Sequence, residues 1–321
     1  MHAPAYRAPL WLPGGDLQTL WAVTLARPRV DYRRQRWELH DGDFLDLDWI
    51  DGAPDAPLLV LFHGLEGSSD SHYARYFMAE VQRRGWRGVV PHFRGCSGEM
   101  NRLPRAYHSG DSAEVDMILR RLAREAGGPL YALGFSLGGN ALLRWLGENG
   151  EAATGLLSGA AAVSAPLDLP VAGATLDQGF SRVYTARFLK TLKRKALDKL
   201  DRYPLLYDRA AVEALDSIKD FDTLVTAPLH GYRDADDYWA RAASKPVLGA
   251  IRVPTLLINA RNDPFMPGDV LPTQAQVSDR VQLEFPDSGG HVGFVSGPFP
   301  GGFAWLPERV LGYFGNLIEV R

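Results

Sequence analysis

Apolar residues follow two rhythms along this chain. A continuous apolar run at Leu58–Phe62 reads as a strand buried on both faces, short apolar runs at 129–133 and 156–163 have strand length, and 86–93, 253–259 and 281–285 also read as strands. Between the early runs the spacing turns helical. Tyr73, Tyr76, Phe77 and Val81 share one face over 71–84, closed by Gly85, and 112–126 reads the same way. Leu142, Leu143 and Leu146 continue helically after the 129–133 run, and 308–320 predicts a terminal helix. Upstream, Leu17, Leu20, Trp21 and Leu25 predict a short helix with Asp16 as its N-cap. Asp41-Gly42-Asp43 between 33–40 and Phe44–Ile50 predicts a hairpin.

The alternation stops at 164 and resumes at 253. Phe180, Tyr184, Phe188, Leu192 and Leu200 recur at helical spacing, so 165–250 is expected to be a helical cap inserted into a core of 1–164 and 251–321. The expected fold class is α/β, with a mostly parallel central sheet flanked by helices.

Composition narrows the reading. The 321 residues are 46% hydrophobic and 23% charged, which is ordinary for a globular chain. A net charge of −3 gives no global attraction to nucleic acid, so no nucleic-acid partner is expected. Cys96 is the one cysteine, which excludes an intrachain disulfide and disfavours a cysteine metal site. No signal peptide is read in MHAPAYRAPLW, and no apolar run reaches the ~20 residues of a membrane span, so a cytoplasmic location is expected. No phosphate-loop, zinc-protease or paired Cys/His pattern occurs, and no cofactor or metal is expected.

The chemistry centres on Gly134-Phe135-Ser136-Leu137-Gly138, a G-x-S-x-G between a strand run and a helix. A serine on a sharp strand-to-helix turn exposes its hydroxyl, and bulk two residues to either side would strike neighbouring backbone. Leu137 then offers its N–H to an oxyanion at a helix N-terminus. A serine hydroxyl needs a base, and the base needs a third group to orient it. Downstream lie His230, within the cap, and His291, in a Gly-rich loop after the last strand run. His291 is the expected base. Asp263, locked by Pro264 in the loop after 253–259, is the expected acid, with Asp269 as runner-up. The second oxyanion donor is expected at Leu65 in His63-Gly64-Leu65-Glu66-Gly67, with His63 structural. Arg94, Cys96, His108 and Asp111 are read as loop-packing residues. The basic run Lys190, Lys193, Arg194, Lys195 and Lys199 is read as a solvated face, with weak lipid-surface contact as the sharper alternative.

With those residues in view, the chain resembles the YheT-like α/β-hydrolases, relatives of lid-bearing lipid esterases. The likeness is carried from DLQTLWA to about Phe294 by HGLEGSSDSHYAR, HFRGCSGEMNRLPRAYHSGDS, GFSLGGN, APLHGY, INARNDPFMP and SGGHVGF. It implies a Ser136, Asp263, His291 triad in a carboxylesterase. Asp16 departs from it, since such proteins tend to carry His before LQTL. The expected function is hydrolysis of small-molecule or lipid esters, of medium-chain or acylglycerol type if Phe180, Tyr184, Phe188 and Trp239 of the cap line an acyl pocket. Thioesterase, amidase or acyltransferase chemistry on the same triad is the alternative, as is a non-catalytic ligand-binding protein. Dehalogenase and epoxide hydrolase would need aspartate at position 136.

Overall fold

The computed structural model describes residues 5–319. Val320, where the terminal helix was expected to end, and residues 1–4 of the N-terminal lead-in lie outside the described residues. The strands β1 (Arg33–Glu38), β2 (Phe44–Ile50), β3 (Leu58–Phe62), β4 (Arg87–Pro91), β5 (Leu130–Phe135), β6 (Gly159–Val163), β7 (Thr255–Ile258) and β8 (Val281–Glu284) form one sheet in the order β1-β2-β4-β3-β5-β6-β7-β8. The pairs β1–β2 and β2–β4 are antiparallel, and all later pairs are parallel.

The continuous apolar runs become central strands because both faces of the sheet are covered. Leu58, Val60 and Phe62 enter a core beneath α3 (Ser112–Glu125) and α4 (Leu137–Asn149). Leu59 and Leu61 point the other way, under α2 (His72–Arg83) and the terminal helix α12 (Trp305–Glu319). The first helix, α1 (Gly15–Ala22), also packs on this second face. The outer strand β1 is different. Its Arg33, Arg34 and Arg36 reach across to Asp51, Asp48 and Asp46 at 2.8, 2.7 and 2.8 Å.

After a short turn of helix α5 (Glu151–Thr154) and β6, the chain leaves the sheet. It builds α6 (Leu169–Leu176), α7 (Arg182–Arg202), α8 (Arg209–Ala214), α9 (Ile218–Phe221), α10 (Ala227–Leu229) and α11 (Ala235–Ala242) before returning at β7. These helices share an apolar cluster of their own, with Leu169, Leu189, Val212, Phe221 and Trp239 in it. Side-chain hydrogen bonds tie them to α4 and to the loop before α3. Asn140 of α4 donates to Ser109 and Ala242 carbonyls and accepts the Ser244 N–H, and the Tyr238 hydroxyl accepts the Ser109 N–H. Among the described residues no helix is long and apolar enough to cross a membrane.

Some boundaries move. The strand expected over 156–163 starts at Gly159, and α12 starts at Trp305, one turn before the expected 308. Asp16 is not the N-cap of α1. Gly14 holds that position, and the Asp16 carboxylate instead accepts the Tyr184 hydroxyl at 3.0 Å. The buried face of α1 is Gln18, Thr19 and Ala22, while Leu17 is exposed.

Candidate active site

β5 runs directly into Ser136, and α4 begins at the next residue. Ser136 has φ 49° and ψ −122°, a backbone region that costs a non-glycine residue about 1–3 kcal/mol. The neighbouring glycines make this turn buildable. A Cβ at Gly134 would lie 2.5 Å from the Gly138 carbonyl oxygen, and one at Gly138 would lie 2.4 Å from that of His63. Both approaches are to backbone, so neither contact relaxes by moving a side chain.

The loop after β8 returns His291 to this turn. His291 Nε2 lies 2.9 Å from Ser136 Oγ. Its Nδ1 lies 2.9 and 3.1 Å from the two carboxylate oxygens of Asp263, which follows β7 and is buried. That contact assigns the Nδ1 proton to the Asp263 side, leaving the Nε2 lone pair toward the serine. Phe265 stacks on the imidazole with centroids 4.0 Å apart, and its N–H donates to Asp263 Oδ1 at 2.8 Å. Three residues far apart in sequence are thus brought into one hydrogen-bonded line.

The histidine loop is held by residues that the apolar pattern does not reveal. The Thr19 hydroxyl accepts the His291 N–H at 2.8 Å, and Gln18 Oε1 accepts the Gly289 N–H at 2.8 Å. Asn262 Oδ1 accepts the Gly290 N–H, and Ser164 Oγ accepts that of Val292, both at 3.0 Å. The inward turn of Gln18 and Thr19 explains why α1 buries a polar face. Two adjacent hydrogen-bonding residues inside DLQTLWA were the available signal.

Leu65, in the loop after β3, and Leu137, the first residue of α4, line the same cavity as Ser136 and His291. The loop passes close to the serine, since a Cβ at Gly64 would lie 3.1 Å from Ser136 Cβ. The first-turn N–H groups of α4 have no partner within the helix. Both residues therefore border the cavity that holds the hydroxyl.

The other candidates are placed elsewhere. Asp269 is exposed. His63 is fully buried, with Nδ1 2.8 Å from the Gly64 carbonyl and Nε2 accepting the Phe93 N–H; burial pushes its pKa down to about 3, so it stays neutral as a structural group. His230 packs against His108 with centroids 4.3 Å apart and rings tilted by 50°, while Ser136 Oγ is engaged by His291. Arg94 is locked by Glu114, Asp41 and Asp43 at 2.7, 2.8 and 3.0 Å, and Asp111 caps α3. Burial raises the Cys96 thiol to about 11, which leaves it protonated and unreactive.

Over the serine the cavity is roofed by Leu169, Ala172, Leu176, Ile218, Phe221, Val225 and Trp239 of the cap. Of the four cap aromatics expected there, Phe188 and Trp239 line it. Phe180 sits in a 3-10 turn before α7 and is half exposed, and Tyr184 is turned to Asp16. The expected solvated basic face is corrected as well. Lys190 and Arg194 are exposed, but Lys195 and Lys199 share the Phe188–Leu192 stripe of α7 and point inward. Lys199 donates to the Leu103, Pro104 and Arg105 carbonyls at 3.1, 2.6 and 2.7 Å, and its burial lowers its pKa to about 8.

The comparisons agree with this architecture. The family profile of the alpha/beta hydrolase fold matches residues 57–298. "Putative esterase YheT" of Escherichia coli is 43% identical over 293 residues, 89% of this chain and 86% of that one. "Phospholipase ABHD3" of Homo sapiens is 28% identical over 315 residues, 93% of this chain and 76% of that one. Among solved structures, the Pyrococcus furiosus esterase Pf2001 superposes with a TM-score of 0.55 at 17% identity, covering 92% of this chain and 98% of its own.

Proposed function

The chain belongs to the α/β-hydrolase family, in its YheT-like group, and from that premise we propose that it hydrolyses carboxylic esters through an acyl-enzyme on Ser136. The observation that carries the reading is the line Ser136 Oγ, His291 Nε2, His291 Nδ1, Asp263 Oδ2, with 2.9 Å at both contacts. Ser136 Oγ attacks the ester carbonyl as its proton passes to His291 Nε2. Asp263 stabilises the imidazolium and does not itself take the proton. The carbonyl oxygen becomes an oxyanion held by the Leu65 and Leu137 N–H groups, each worth about 10²–10³ in rate in such holes. His291 then hands the proton to the leaving alcohol. Water attacks the acyl carbon with His291 again as base, and the carboxylic acid leaves.

The apolar roof from Leu169 to Trp239 supports a hydrocarbon acyl chain as the substrate's recognised part. A lipid ester of medium chain length fits that lining. Intact-protein mass after exposure to a fluorophosphonate tests the nucleophile. One adduct on the wild type, absent from Ser136→Ala, is expected. Absence of an adduct on folded wild-type protein overturns the reading in favour of a ligand-binding role. An ester series from acetate to dodecanoate tests the chain length, and turnover of acetate alone would remove the acyl-pocket assignment.

A further inference from the structure

The loop that presents Leu65 is held from the cap. Glu66, the next residue, has φ 54°, a left-handed conformation that a residue with a side chain keeps only when its surroundings fix it. Three contacts fix it here. Its N–H donates to the Tyr107 hydroxyl at 2.8 Å, and that hydroxyl donates in turn to Glu66 Oε1 at 2.8 Å. Tyr107 is buried and stacked on Phe93 with rings 4° from parallel, so it offers a rigid post. The third contact crosses from α7: Lys195 Nζ donates to the same Oε1 at 2.7 Å. Both ends of this ion pair are largely buried, with side chains 20% and 10% exposed. The other groups facing the ammonium are the protonated Cys96 thiol at 3.4 Å and the Tyr107 ring, neither an anion. The neighbouring cations Lys199 and Arg94 are tied to backbone carbonyls and to their own carboxylates.

We infer that Lys195 is a positioning residue: by pairing with Glu66 it lets the seated cap hold the Leu65 N–H toward the reacting carbonyl, so that the oxyanion hole is complete only when α7 is docked. The inference rests on the ester-hydrolase reading above. A cap that lifts leaves Glu66 with a carboxylate that no cation compensates and a backbone conformation that nothing on the cap side maintains. The Leu65 donor then drifts from its aim, and water entering an open site meets a weakened catalyst.

The test compares wild type, Lys195→Met, Lys195→Arg and Glu66→Gln on a soluble p-nitrophenyl ester, with fluorophosphonate adduct mass measured in parallel. Lys195→Met keeps the stem and removes the charge. It is expected to lower kcat about tenfold or more, short of the 10²–10³ of a deleted donor, with KM within about threefold. Lys195→Arg is expected to restore most of that loss, which packing alone would not explain. Glu66→Gln, nearly isosteric, is expected to lower kcat in the same way and serves should Lys195→Met fail to fold. Unchanged kcat in Lys195→Met, a loss confined to KM, or no recovery with arginine overturns the positioning role while a labelled Ser136 keeps the hydrolase reading. A wild type that takes no adduct and turns over no ester overturns both.

Discussion

The Thr19 hydroxyl accepts the backbone N–H of His291 at 2.8 Å across 272 residues of chain. The histidine loop is therefore referenced to the first helix as well as to the sheet. Thr19→Val keeps the shape and removes the acceptor, leaving the His291 N–H unpartnered. Steady-state ester hydrolysis is expected to show kcat reduced about tenfold, since small displacements of a catalytic group cost up to about 10²-fold. The circular dichroism spectrum should match wild type.

Gly138→Ala tests the elbow as architecture. Its new Cβ would meet the His63 and Phe62 carbonyl oxygens at 2.4 and 2.5 Å. Overpacking against side chains costs about 1–3 kcal/mol, and backbone yields less readily. Thermal unfolding is expected to show a lowered Tm, and serine labelling should fall with it because Ser136 is two residues away.

Ala172 is buried in the roof of the cavity. Ala172→Phe fills space that an acyl chain would use. Each methylene kept out of an apolar site forfeits about 0.8 kcal/mol, close to fourfold in binding. Profiling over an ester series should show kcat/KM falling for octanoate and longer esters and holding for acetate.

Buried histidines set an acid limit on stability. Burial holds His63 and His108 at about 3 and His72 at about 4, against about 6.5 when unfolded. Below pH 6.5 the unfolded chain takes up protons that the folded chain refuses, so stability falls as pH drops from 6.5 toward 4. At pH 5 each of these groups costs up to about 2 kcal/mol. Urea unfolding is expected to show a clearly lower midpoint at pH 5 than at pH 7, and a pH-independent midpoint would contradict the burial.

The sequence disclosed the parts whose physics is local. Leu58–Phe62 reads as a strand because both faces are covered and no polar residue interrupts it. The elbow was legible because only glycine fits two residues to either side of Ser136, and the order of serine, acid and histidine followed from the topology. What stayed hidden depends on distant partners. Gln18 and Thr19 look like polar residues on an apolar helix until the histidine loop is folded against them. Lys195 and Lys199 look solvated because charge marks a helix face as outward, yet the surface they meet is a polar loop and a carboxylate. Phe180 misleads for the opposite reason, as an apolar residue whose local turn leaves it half exposed.

The arginine-rich first strand has a consequence for self-association. β1 pairs on one side only, so its other edge carries backbone donors and acceptors open to a second chain. A copy laid strand against strand there would bring two sets of Arg33, Arg34 and Arg36 together and strain their pairings with Asp51, Asp48 and Asp46. Like charges set opposite one another along that edge thus disfavour pairing of two copies through β1.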